Sequence, residues 1–252
     1  MSIFVLGFLW VAGASAVAAV LAYAVRRFGA DEGRDANNDT VGNVFTLVGG
    51  LHAVLMAFVL IALFDAAGTA SDDAYREANS LVAVTWAGES LPEPTRSEIM
   101  RLTQDYATTV IEREWPRMRE GEEVDGTGWA QLDQLRLAIE GAQPADDWQQ
   151  ERRLEAAGRL WEVYQARQDR LNAGGDGVST VVWFALVAGS FLAIALPFLF
   201  GGTRLVSYVI VVATLTATIT LLMFAIYQMQ NPFSGGSSIE PAAFESALQR
   251  LG

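Results

Sequence analysis

Val41–Phe64 reads VGNVFTLVGGLHAVLMAFVLIALF, an unbroken apolar run that contains the only histidine of the chain. At roughly 1.5 Å of rise per residue, twenty-odd helical residues cover the ~30 Å hydrocarbon core of a bilayer, and a helix satisfies its own backbone there without water. The run therefore reads as a transmembrane helix. At ~100° per residue, Gly42, Thr46, Gly49, Ala53 and Ala57 fall on one side, with His52 at the edge of that row. Small side chains let another helix approach closely, so the row either packs a neighbouring helix or borders a pathway for a polar solute.

Three further apolar stretches flank it, and the charged residues concentrate between the second and third. Hydrophobic residues make up 52% of the 252, so the sequence predicts an all-α polytopic membrane protein with four transmembrane helices and a helical insert between the second and third. Cysteine is absent, which excludes disulfides, thiolate nucleophiles and cysteine metal sites. A net charge of -12 argues against a nucleic-acid partner. All the basic residues are arginine, a bias that points to a GC-rich bacterial genome.

Four segments follow: transmembrane helices 1 and 2 over residues 1–65, a helical extramembrane domain over 66–177, transmembrane helices 3 and 4 over 178–229, and a tail over 230–252. Ile3–Val25 is the first span, with Gly7, Ala14, Ala18 and Ala22 as a row able to seat a neighbouring helix, and it ends at Arg26-Arg27. A signal peptide would carry its positive charge before a shorter apolar run, so this helix is retained. The polar connection from Phe28 to Thr40 offers Asp39 or Thr40 as a helix cap. Asp65 falls where the second span leaves the hydrocarbon. Glu77, Leu81 and Val84 keep helical spacing beyond it, which predicts that the helix continues into water until Pro92 and Pro94 end it. In the insert, helical periodicity marks Thr95–Met118, Ala130–Ile139 and Asp146–Leu171, with acidic loops near Gly121–Gly128 and Gly141–Asp147. Val178–Phe200 and Leu205–Met229 form a hairpin through GGTR, with Pro197 near the end of the first. Thr214 and Thr218 face opposite to Thr216 and Thr220, as hydroxyls bonded back to the preceding turn would.

Arg26, Arg27, Arg34 and Arg204 flank the short connections, against Arg76, Arg167 and Arg170 on the insert side. The positive-inside rule then places the short connections in the cytoplasm of a multi-pass cell-membrane protein, and the insert with both termini outside.

Catalytic constellations are missing. No nucleophile turn or HExxH pattern occurs, and His52 and Asp65 lie about 20 Å apart on diverging faces of one helix, too far to share an ion. The acidic run Glu120, Glu122, Glu123 and Asp125 lacks EF-hand spacing. The sequence predicts no enzyme, no metal site and no cofactor. His52, neutral near pH 7, either hydrogen-bonds across to another helix or serves a pathway. Trp115, Trp129, Trp148 and Trp161 read as packing residues.

Several linked segments give the chain a family likeness: Asn38-Asp39, Val41-Gly42, Gly49 and Ala53 to Val59 in the second span; Glu77-Ala78 and Glu114-Trp115-Pro116-Arg117-Met118 with Gly121 in the insert; and Pro232-Phe233-Ser234-Gly235 with Pro241 and Phe244 in the tail. In these the chain resembles the bacterial DUF4239, or bestrophin-like, family, with His52 standing where that family often has tyrosine. The resemblance implies a four-span membrane protein and an analogy to bestrophins, pentameric anion channels whose second span lines the pore and whose insert is cytoplasmic. The function expected is an oligomeric ion channel in the lipid bilayer, conducting chloride or another small anion, with second spans around the pore and the insert as a vestibule. The alternative is a non-conducting membrane sensor or scaffold whose helical domain binds a partner.

Overall fold

The computed structural model describes residues 3–28, 38–175, 177–199, 204–236 and 238–252. Helices run in the order α1 (Ile3–Phe28), α2 (Asn38–Gly88), α3 (Thr95–Thr109), α4 (Trp115–Glu120), α5 (Thr127–Glu140), α6 (Asp147–Gly175), α7 (Thr180–Ala195), α8 (Leu205–Met229) and α9 (Ala242–Leu251), and no strand occurs among the described residues. Four helices are long and apolar enough to cross a membrane. Arg34 and most of the GGTR connection lie outside the described residues.

The chain divides into two compact units, residues 1–64 with 178–230 and residues 65–177 with 231–252. In the first, Gly7, Ala18 and Ala22 are the buried residues of α1. Ala18 and Ala22 pack with Tyr208 and Val212 of α8, and a Cβ at Gly7 would lie 2.7 Å from the Phe224 ring. The small row of α1 thus seats α8, as its spacing predicts. Ser179 caps α7 by accepting a hydrogen bond from the Val182 amide. α7 gives way at Ala195 to a 3-10 turn, Leu196–Leu199, because Pro197 offers no amide to continue the helix. Thr216 and Thr218 donate to the carbonyls of Val212 and Thr214 at 2.8 and 3.0 Å.

α2 is one uninterrupted helix of 51 residues, about 75 Å long by its rise. It begins at Asn38, so Asp39 and Thr40 sit inside its first turn rather than capping it. Asp39 there suits the positive end of the helix dipole.

The second unit is helical throughout. Thr95–Met118 is not one helix: a π-helical turn, Val110–Glu114, separates α3 from α4. Pro116 explains the interruption, since a proline in an α-helix clashes with the carbonyl four residues back, and the wider turn places Trp115 N–H on the Val110 carbonyl instead. Gly121 closes α4 in the left-handed region, φ 73°. The tail packs inside this unit rather than standing apart. Phe233 and Phe244 are fully buried, each edge-on to Trp115, and the Trp115 indole donates to the Ile239 carbonyl at 3.0 Å.

Candidate functional site

α2 carries every residue of the predicted small row, and the structure sorts them by face. His52, Met56 and Leu63 are its buried residues in the span, and Met56 and Leu63 cluster with Leu186, Ala193, Ile219 and Ile226 of α7 and α8. Their spacing of four and seven makes one closed face. Thr46, Ala53 and Ala57 are exposed and lie off that face, while Gly42 and Gly49, in heptad step with Met56, are half-buried at its edge, and no atom comes within 4 Å of where a Cβ at Gly49 would stand. Thr46 spends its hydroxyl on the Gly42 carbonyl at 2.9 Å. On the side opposite the closed face stand Leu47, Val54 and Ile61, 64%, 52% and 57% exposed. The helix therefore has one face closed by its own chain and two left open.

His52 belongs to the closed face. Its Nε2 hydrogen-bonds the Ser190 hydroxyl at 3.0 Å, and a Cβ at Gly189 would collide with the imidazole ring. Glycine at 189 is what admits the ring, and serine at 190 supplies the partner that a polar group in hydrocarbon requires. The bond to Ser190 joins α2 to α7.

The second unit buries charges instead. Glu77 of α2, Glu114 of the π turn, and Arg167 and Arg170 of α6 are all essentially inaccessible. Arg167 grips both oxygens of Glu114 at 2.7 and 2.8 Å. Arg170 joins Glu77 at 2.6 and 3.1 Å and Glu114 at 2.9 Å. Tyr106 donates to Glu77 and accepts from Arg167 at 3.0 Å. Two carboxylates balance two guanidinium groups. Burial alone would push the Glu114 carboxyl up, but the hydrogen bonds and charges of Arg167 and Arg170 outweigh it and hold the group below the usual carboxylate range. Burial and the neighbouring Glu77 carboxylate push the Tyr106 phenol well up, so it stays a donor. The Arg167 guanidinium lies 4.6 Å over the Trp129 ring, and that of Arg170 5.7 Å from Trp115. A Cβ at Gly128 would strike Glu114 and lie 2.6 Å from Arg167, so only glycine fits over this pair.

This cluster is what the Glu114-Trp115-Pro116 and Pro232-Phe233-Ser234-Gly235 segments build. Glu114 supplies the charge, Trp115 the lid, Pro116 the π turn, and Phe233 the wall behind Trp115. Asn231 ties the tail to α4 by donating to the Met118 carbonyl at 3.0 Å, while its side-chain oxygen accepts from the Phe233 amide at 2.9 Å. The Ser234 amide closes the turn over Pro232 onto Asn231, and Gly235 follows at φ 82°. In sequence Arg167 and Arg170 pass for flanking charges, although they continue the buried row of Ala156, Leu160 and Val163 at helical spacing. That register is the signal that marks them as buried. Trp161 and Trp148 stay exposed, at 63% and 57%.

Among the described residues no group of three or more histidine, cysteine, aspartate or glutamate side chains could hold a metal ion.

A family model, the bestrophin-like domain, matches residues 12–244. No curated protein matches. Two solved structures share the fold. One is a point mutant of a bacterial bestrophin homolog from Klebsiella pneumoniae, with 12% identity, TM-score 0.71 and coverage of 100% of this chain and 98% of that one. The other is a point mutant of a membrane protein, with 12% identity, TM-score 0.69 and coverage of 99% and 97%.

Proposed function

The chain belongs to the bestrophin-like family, and on that premise we propose that it forms a ring of identical copies, five by analogy with bestrophins, that conducts ions through the bilayer with α2 of every copy around the axis. The observation that carries this reading is the division of α2 into one closed and two open faces. On a wheel of ~100° per residue, the row of Leu47, Val54 and Ile61 points directly away from the closed face, and the small row lies between the two. A helix with its own bundle behind the closed face turns the opposite row toward the axis of a ring. The small row then faces sideways, where the next α2 can approach closely. On its remaining side α2 offers Val44, Leu51 and Ala62, all exposed, to the previous copy. The lumen across the hydrocarbon is apolar, a lining that gates by dewetting.

Small anions, chloride first, are the permeant species that the bestrophin analogy supports. The net charge of -12 is the observation that favours cations instead. The purified protein in planar bilayers, under a KCl gradient, tests both: unitary currents support the channel, and the sign of the reversal potential separates the ions. Silence over a range of pH and calcium concentrations favours the non-conducting scaffold.

Arg26 and Arg27 at the end of α1 support the extracytoplasmic side for the insert and termini. Arg167 and Arg170, counted against this, are neutralised inside the second unit. A cysteine at exposed Ser97, unique in the chain, is expected to react with an impermeant maleimide in intact cells. Labelling only after lysis reverses the orientation.

A further inference from the structure

We propose that a cleft among α1, α7 and α8 is a lipid site, which takes one acyl chain of a bilayer phospholipid as far as Ser190, behind the hydrogen bond that ties α2 to α7. Binding there does not depend on whether the chain conducts.

The cleft has a volume of about 560 Å3, inside the ~300–1,000 Å3 range of small-molecule sites. Leu6 and Trp10 of α1, Trp183 and Ile194 of α7, and Ile219 and Phe224 of α8 make its wall apolar, and among the described residues no charged side chain lines it. α8 is its floor. Gly7 seats α1 on the Phe224 ring, and Ile219 clusters with Leu186 and Ala193 of α7, so α1 and α7 rise on either side of one helix. Trp10 and Tyr227 stand exposed on the rim.

Length selects the ligand. Trp183 lies three residues inside the start of α7 and Tyr227 two residues inside the end of α8, so both stand at one end of the spans. That is the level at which tryptophan and tyrosine gather at a membrane surface. Leu6, three residues into α1, belongs to the same end, since its neighbour Gly7 meets Phe224. From Trp183 to Ile194 the helix rises about 16 Å, and half of the ~30 Å hydrocarbon core is about 15 Å. The cleft therefore runs from one interface to the middle of the bilayer, the depth of one leaflet and of one lipid chain. A charged headgroup finds no partner inside it, so the headgroup stays beside Trp183 and Tyr227 and only the chain enters. No residue of α2 lines the cleft, so neighbours that meet α2 in a ring leave it open to lipid.

Ser190 connects this site to α2. Its side chain borders the cleft, yet the residue is only 9% exposed, and its hydroxyl pairs with His52 Nε2 at 3.0 Å. An unfilled cleft would leave one side of α7 without partner atoms. A chain lying in it supplies them and holds α7 where Ser190 meets His52.

The test is native mass spectrometry of the full-length protein, reconstituted in dioleoylphosphatidylcholine vesicles and extracted again into detergent. Wild type is expected to keep about one phospholipid per chain through washing that strips loosely held lipid. Thr220→Phe, which sets a ring into the cleft from the α8 wall, should lose it. Thr218→Phe adds the same ring at an exposed position outside the cleft and should keep it. A second readout needs no filled cleft: with bromine on the lipid chains, the retained molecule should quench tryptophan emission, and Trp183→Phe should lessen that quenching. Wild type that washes free of phospholipid, or Thr220→Phe with wild-type retention, overturns the site. A retained free fatty acid in place of phospholipid overturns the assignment of the source. Phospholipid that leaves only when the oligomer dissociates lies between copies, and this also overturns the site.

Discussion

α1 and α2 each carry a row of small residues at helical spacing, and the chain treats the two rows in opposite ways. Gly7, Ala18 and Ala22 of α1 are buried against α8. In α2, Thr46, Ala53 and Ala57 are exposed and Gly42 and Gly49 only half-buried, while the chain closes this helix through His52, Met56 and Leu63. The same local signal serves the fold in one helix and is left free in the other. In hydrocarbon, small residues confer no solubility advantage and gain most from a close helix neighbour. A row that the chain leaves uncovered therefore points to another copy of it.

Substitutions that add bulk separate the two rows. The largest effect is expected for Gly49→Leu: overpacking costs ~1–3 kcal/mol at one contact, and a ring repeats that contact in every copy. The oligomer should dissociate on size exclusion in detergent while each chain keeps its thermal midpoint, because nothing in the chain meets a Cβ at that position. An intact oligomer would place the small row on the lumen. Gly189→Ala and Gly7→Leu act inside the chain, against the His52 ring and the Phe224 ring, and each should cost the fold ~1–3 kcal/mol, read as a lower unfolding midpoint in detergent. Loss of the oligomer with no change in the midpoint would reverse the contrast. His52→Phe removes the hydrogen bond to Ser190 and is expected to cost about 1 kcal/mol, with assembly preserved, since His52 lies on the closed face.

The second unit should respond to acid and not to bulk on α2. Glu114 has a folded-state pKa below its unfolded value, so its contribution to stability is complete above the unfolded value and is lost as pH falls through the folded one. Asp73 works the other way. Burial raises its pKa despite Arg76, so protonation on moving into the acid range slightly favours the fold before Glu114 titrates. Near-UV circular dichroism of the full protein should thus hold steady from about pH 8 to about pH 5 and decline only below about pH 4. A loss near neutrality would show that the buried ion pairs are not what holds this unit together.

Much of this organisation is legible in the sequence because hydrocarbon imposes it. Four apolar runs mark four spans, and helical spacing carries α2 past its apolar stretch through Glu77, Leu81 and Val84. Which face of α2 the chain closes is not legible, because the small row and the row through His52 are both compatible with packing, and the choice depends on Gly189 and Ser190, far along the chain on α7. The ion-pair cluster is half legible. Glu114 stands out with Trp115 and Pro116, but Arg167 and Arg170 look like flanking charges until their register with Leu160 and Val163 is taken as a buried face. The π turn follows from Pro116 only once a helix is known to continue through it.

Cross-linking tests the central claim, that α2 helices of neighbouring copies lie side by side with the small row of one against the next. In a ring, positions 51 and 53 point to opposite sides of the same helix at nearly the same height, so a disulfide can join Leu51→Cys of one copy to Ala53→Cys of its neighbour. The double variant, oxidised in native membranes, should give a ladder of covalent oligomers ending at the closed ring, while either single variant stays monomeric on a denaturing gel. A monomeric double variant, under conditions that fully oxidise a positive control, would contradict the ring.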